Sequence, residues 1–339
     1  MAQCRRLTVL RLSSNCLSAL PSWLFTLPEL AFLSFASNPC ASPATNGHHT
    51  TRGLASIPWS DIEVQETLAS TPSSTTSQAL WHQSPHYAED VAVTLFCGSA
   101  PTDAGLPADE LAAHLAAGAH ESLVTLLGRI HSHPEEDEPT ASPEDELQGG
   151  IVTQLIPPEY TPLASTAPMD LATALQALTG LAGALAHLHA RGIAHGAVCA
   201  DTILASAADA HALLHGFAAA TIYSPSSHSG LASATRDEDQ DQDQGQQEEE
   251  SEQGGSSSSG SIEKIEVLAF GKVIEGLLAA VEKGAGQDSD EMERGLRELA
   301  GRCVVGSVGE RPGFGEVVEG LEGLMGWRGM MRIPDVVPR

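Results

Sequence analysis

From Leu171 to Ala190 the chain reads "LATALQALTGLAGALAHLHA", twenty residues without a charge, and no other stretch restricts the possible folds so strongly. Its alanines and leucines fall at helical spacing from Met169 onward, so the segment predicts one long helix. Gln176, Thr173, Thr179, His187 and His189 interrupt the apolar run, which favours a helix buried in a protein core over a membrane span. Such a helix needs a domain around it. The 339 residues, 42% hydrophobic, suffice for one medium domain with additions. Aromatics make up only 4%, so that core is built mainly from aliphatic side chains.

Charge narrows the partners. The formal net charge is −27, concentrated in two runs, "PEEDEPTASPEDE" and "RDEDQDQDQGQQEEESE". Neither nucleic acid nor an anionic membrane is an expected partner, and the runs themselves read as solvated, disordered loops. The six cysteines, at positions 4, 16, 40, 97, 199 and 303, have no short paired spacing, which indicates neither a zinc site nor a disulfide framework and fits a reducing compartment. The start, "MAQCRRLTVLRLSSN", carries no secretory pattern, and a cytoplasmic protein is expected.

An internal repeat opens the chain. Leu7, Leu10, Leu12, Asn15 and Leu17 recur as Leu30, Leu33, Phe35, Asn38 and Cys40, a shift of 23 residues in every pair. The spacing is similar to that of the leucine-rich repeat, in which alternate leucines of a short strand point into a solenoid core and the asparagine side chain bonds the backbone of the next turn. Little more than one and a half repeats are present, so this piece must pack on the rest or belong to a longer array.

From Ala41 to Gly53 the composition turns to Pro, Ser, Thr, Asn and His, the signature of a linker. Strand patterns follow in "IEVQETL", "QALWHQ" and "DVAVTLFCG"; then come a helical stretch at Ala108–Ala117, "LVTLLGRI" and, past the first acidic run, "GIVTQLI". Helices are predicted at 169–190, 262–282, 292–304 and 314–324. Strands first and helices second predict an α+β protein of two lobes.

Taken in order, "VAVTLFCG", "ESLVTLLGRI", "ALAHLHARGIAHGAVCADTIL", "HALLHGFAAA", "IEVLAFGKVIEGLL" and "GERPGFGEVVEGL" resemble the successive motifs of a eukaryotic-type protein kinase domain. With the short leucine-rich segment and "IPWSDIEV", the chain is most similar to leucine-rich-repeat-containing kinases. The resemblance implies a two-lobed kinase-like fold, with a β-rich N-lobe and a helical C-lobe, preceded by a short leucine-rich segment. Its divisions are a repeat remnant at 1–40, a linker at 41–56, an N-lobe at 57–156 and a C-lobe at 157–326 that includes an acidic disordered loop at 224–261. A tail at 327–339 follows.

Phosphoryl transfer needs a glycine-rich loop over the phosphates, a lysine, a catalytic aspartate, and an asparagine and second aspartate for magnesium. The resemblance sets Ala69, Thr71 and Ser74 where the three glycines belong, with Pro72 among them. Thr94 stands at the lysine, Ala197 at the catalytic aspartate, Thr202 at the asparagine and Gly216 at the metal-binding aspartate. Gly196 replaces an arginine, His195 and Phe217 are retained, and Glu110, deprived of its lysine, is expected to be an exposed helix residue. Asp201 is expected at the surface or as a cap, and His215 is a poor ligand for magnesium, which prefers hard oxygen donors. His187, His189 and His195 are expected to pack rather than to bind zinc. No Ala-Pro-Glu follows, which leaves Arg311 to bond Glu266 or Glu310 or to face water.

The expectation is therefore a pseudokinase: a catalytically inactive protein-interaction or signalling scaffold whose partners are other proteins, an active kinase among them. No metal and no required cofactor are expected. ATP held without magnesium stays open, in a pocket of Ala92, Thr153, Gln154, Leu155 and Leu204. The alternative readings are a divergent ATP-binding Ser/Thr kinase and a degenerate copy without a settled role.

Overall fold

The computed structural model describes residues 3–41, 54–98, 105–134, 147–166, 169–223, 259–281 and 287–330. The first acidic run from 135, most of the expected linker and residues 224–258 of the expected acidic loop lie outside them. The fold is α+β.

Two coils begin the chain, carrying strands β1 (Val9–Arg11) and β2 (Phe32–Ser34). They pair in parallel as Val9 with Phe32, Leu10 with Leu33 and Arg11 with Ser34, so the 23-residue shift of the sequence is the register of the ladder. Asn38 joins the coils, but it reaches back to the preceding coil rather than on to the next. Its Oδ1 accepts the N–H groups of Asn15 (3.0 Å) and Leu17 (2.9 Å), and its Nδ2 donates to the Leu12 carbonyl (2.7 Å). The coils do not stand alone. Leu20, Leu24, Leu27, Leu30, Leu33 and Phe35 share one core with Ala194, Tyr223, Ile262 and Ile265, which supplies the burial that two coils cannot give each other.

A six-stranded sheet follows, built from β3 (Ala55–Pro58), β4 (Ile62–Ser70), β5 (Ser74–Ser84), β6 (Tyr87–Cys97), β7 (Leu126–His131) and β8 (Leu147–Gln154). Their spatial order is β3-β7-β8-β6-β5-β4, antiparallel except for the β3/β7 pair. β3 shortens the expected linker, because Ala55 and Ser56 already pair with Gly128 and Arg129. The period-2 pattern sorts side chains to opposite faces. Val91 and Val93 join Ile57, Val152 and Ile130, while Phe96 and Ile151 meet Leu111 of helix α1 (Pro107–Ala117).

The second half is helical around α2 (Leu171–Ala190). Asp170 starts it by accepting the N–H groups of Ala172 (2.8 Å) and Thr173 (2.9 Å) through its carboxylate, an N-cap contact that satisfies two orphan donors. Gly192 ends it at φ +71°, a conformation that costs glycine little. By length and composition α2 could cross a membrane, yet 56% of its most apolar 18-residue window is buried within the fold. Around it lie α3 (Ser259–Ala280), α4 (Gln287–Cys303) and α5 (Phe314–Met330), which contribute Phe270, Leu296, Phe314, Val317 and Leu321 to a common core. α5 runs into the expected C-terminal tail. Small pairings add β9 (Thr161–Pro162), β10 (Ile193–Ala194), β11 (Ile203–Ser206), β12 (His211–Leu214) and β13 (Thr221–Ile222). α1 touches both halves, contacting β6 and β8 on one side and β10, β13 and the turn at Phe217–Ala219 on the other.

Candidate functional site

The positions singled out in the sequence fall on the β4–β5 turn, the middle of the sheet, α1 and the loops after β10 and β12. The turn closes on itself. Thr71 N–H donates to the Ser74 carbonyl (2.8 Å), Pro72 has no N–H, and those of Ser73 and Ser74 donate to the Thr71 hydroxyl (3.3 and 3.0 Å). The Ser73 carbonyl accepts from Cys97 N–H at the end of β6 (2.9 Å). Every N–H between 71 and 74 is thus committed within the turn, and none is left to cradle an anion.

Thr94 lies on β6 between Thr76 and Ile151, its hydroxyl 2.9 Å from that of Thr76. Ala92 and Thr153 are partners across β6 and β8, both buried, and the Thr153 hydroxyl reaches the Ala92 carbonyl at 3.5 Å. Gln154 spends its N–H on the Thr125 carbonyl (3.0 Å). Leu155 follows β8, whereas Leu204 sits on β11 opposite Leu213.

Glu110 corrects the expectation of an exposed residue. It is half-buried on α1, and with no side-chain partner among the described residues its burial pushes the carboxyl up to about 7. One turn further on, His114 packs its ring on Phe217 (centroids 4.6 Å apart) and Phe96 (6.2 Å).

The loop from His195 to Thr202 is held at several points. His195 is fully buried, donates from Nε2 to the His215 carbonyl (3.1 Å) and meets Phe217 edge-on at 5.3 Å; its Nδ1 has no partner. Gly196 has φ +77°, and a Cβ there would stand 2.3 Å from the Ala219 carbonyl oxygen. No other residue type fits this backbone, a constraint that comparison with an arginine position could not reveal. Its N–H donates to Glu266. Thr202 closes the loop by donating to the Ala197 carbonyl (2.6 Å) while accepting Cys199 N–H (3.2 Å). Ala197 presents only a methyl, Asp201 is exposed, and Gly216 sits in the left-handed region at φ +83°.

Glu266 on α3 is the residue the sequence reading undervalued. It is 3% exposed and accepts both Gly196 N–H and His189 Nε2–H, the latter at 2.7 Å. Burial alone pushes its carboxyl up, but the bond and the field of His189, with His195 and Gly196 N–H, outweigh burial and hold it below the usual carboxylate range. The Tyr223 hydroxyl lies 2.9 Å from His189 Nδ1, and Phe314 stacks on the same ring. His187 reaches the Ala117 carbonyl instead (2.8 Å).

Arg311 corrects a second expectation. It bonds neither Glu266 nor Glu310 and does not face water. Only 1% exposed, it donates to the carbonyls of Val305 (3.0 Å), Lys264 (3.0 Å) and Pro28 (2.7 Å), the last at the end of the first coil, before β2. The six cysteines are free thiols, and among the described residues no three His, Cys, Asp or Glu side chains are grouped to hold a metal. Compared with known proteins, the chain matches no family model and no curated protein.

Proposed function

We propose that this chain is a protein-kinase-like fold without phosphotransfer, a pseudokinase that serves as a protein-interaction scaffold, with a leucine-rich segment built into its helical lobe. One observation carries the reading: the loop from His195 to Thr202 is firmly held, yet the position at which the resemblance sets the catalytic aspartate carries only a methyl. Glu266, Thr202 and the His215 carbonyl fix its course, while the reacting position is the Ala197 methyl. Two further features support it. The β4–β5 turn has no N–H left for phosphate, and Thr94 and Gly216 supply neither the cation nor the carboxylate that phosphoryl transfer uses. The sheet followed by helices, in the order of the resembling motifs, is the architecture this reading requires. The surfaces of the lobes and coils then do the work, by binding another protein, an active kinase among the choices.

The test is a thermal melt of the whole chain, because the coils share their core with the helical half. It is run with ATP, with ATP plus magnesium, and alongside a radiolabelled transfer assay. ATP at about 100 times its Kd would add roughly 2.7 kcal/mol, a shift of several degrees. The expected result is no transfer and no magnesium-dependent shift. A magnesium-independent shift keeps ATP as a structural ligand, for which Ala92, Thr153, Gln154, Leu155 and Leu204 are the proposed pocket. Transfer with a magnesium-dependent shift overturns the proposal.

A further inference from the structure

Two histidine rings, those of His114 and His195, pack on Phe217, and a third histidine, His215, stands two residues before it in the chain. His114 comes from α1, His195 from the loop after β10 and His215 from the loop after β12. His114 and His195 both pack on the Phe217 ring, and the His195 ring bonds the His215 carbonyl. Two buried ring nitrogens, His195 Nδ1 and His215 Nε2, have no partner. A neutral imidazole nitrogen tolerates such a place, whereas an added N–H⁺ would be a buried, unpaired charge. The cluster also sits at a mechanical junction, since α1 is the helix that contacts both the sheet and the Phe217 turn.

The charged groups around the cluster are unevenly placed. From α3, Glu266 acts on His195, but its oxygens already serve Gly196 and His189 of α2. From α1, Glu110 lies one turn before His114, and Asp109 is turned to Ser37 and the Leu106 N–H. From the loop before β11, Asp201 offers His215 its backbone, while its carboxylate is exposed. One engaged carboxylate therefore faces a cluster in which His195 and His215 disfavour protonation of His114, and His215 and His189 disfavour that of His195.

We propose that His114, His195 and His215 form an acid-operated latch: neutral, they close α1 onto the Phe217 turn, and when a second ring takes a proton their repulsion releases that turn. This rests on the geometry of the cluster alone and stands whether or not the chain is a pseudokinase. Burial pushes all three rings below the ordinary histidine range, and in His114 the neighbouring His195 and His215 add to it, bringing it to about 4. The latch therefore opens in acid, below neutral pH.

Hydrogen exchange read by mass spectrometry on the whole chain, at about pH 7 and about pH 5 and corrected for intrinsic rates, tests it. Peptides over 107–117 and 211–223 should exchange at least about tenfold faster at the lower pH, while those over 74–97 and 171–190 stay protected. His114→Phe keeps a ring against Phe217 and removes one charge, and should cut that gain to less than about threefold. If circular dichroism shows that variant misfolded, His215→Gln, which deletes a different charge of the cluster, takes its place. A uniform gain over all peptides, no gain, or an unchanged response in the variant that folds overturns the latch.

Discussion

Glu266 on α3 is buried and Glu110 on α1 half-buried, and they differ in company. Glu266 has two donors, Gly196 N–H and His189, and a second layer behind them in Tyr223 and Phe314; its carboxyl is held charged. Glu110 has no side-chain partner among the described residues, and its carboxyl is pushed toward neutrality. The same division separates the regions around them. On the helical side Arg311 is buried with three carbonyls, while on the side facing the sheet two histidine nitrogens are orphaned. Buried polar groups that are fully paired fix a structure, and those left unpaired weaken it. The helical half is the frame, and the junction with the sheet is where the molecule can give way.

That contrast breaks first at Glu266. Glu266→Ala removes the acceptor of Gly196 N–H and strands His189, a loss expected to cost about 3–5 kcal/mol in urea unfolding. Glu266→Gln, which keeps an oxygen for Gly196, should cost less. A loss under about 1 kcal/mol for the alanine variant would mean that water takes over the carboxylate's role and that the frame is no better paired than the junction.

Arg311 comes next. Arg311→Met keeps the volume but leaves the carbonyls of Val305, Lys264 and Pro28 without their donor, for about 2–3 kcal/mol. Because Pro28 lies between the strands of the two coils, the loss should concentrate in the coils, and limited proteolysis should cut within residues 3–41 before it cuts the helices. Equal cleavage rates in the variant and the parent would show that the shared apolar core alone holds the coils.

How far the sequence disclosed all this depends on the range of each interaction. The 23-residue shift was legible and proved to be the strand register, because stacking repeats one local pattern. The sequence patterns at 62–68, 78–83 and 90–98 fall on β4, β5 and β6, and the helical spacing at 169–190 falls on α2, with the strand ends beyond the legible pattern. The short strands β9 to β13 were not legible, since two to four residues carry no period. Gly196 read as a lost arginine, although its φ and the nearness of Ala219 explain it in this backbone. Arg311 could not be paired from sequence at all, because its partner Pro28 is 283 residues away and offers only a backbone carbonyl, which any residue would provide. His114 was passed over for the same reason: its neighbours Phe96 and Phe217 meet only when sheet and helices close on α1.

The smallest effect is the one that separates Glu110 from its surroundings. Its folded carboxyl titrates at about 7 against 4.5 when unfolded, so the folded state holds the extra proton between those values. That contribution is full below the unfolded value and is lost as pH rises through the folded one. His114 runs the other way: its folded pKa of about 4 lies below the ordinary 6.5, so its contribution is present above 6.5 and is lost as pH falls toward 4. In the window the two share they oppose each other, so Glu110 offsets part of what His114 alone would cost the parent as pH falls. Glu110→Leu deletes one arm, so its stability should climb more steeply than the parent's from about pH 5 to pH 7, by on the order of 1 kcal/mol. His114→Phe should tilt the profile the opposite way. Urea unfolding across that range reads both, and a Glu110→Leu profile parallel to the parent's would place Glu110 in ordinary solvent and remove it from the contrast with Glu266.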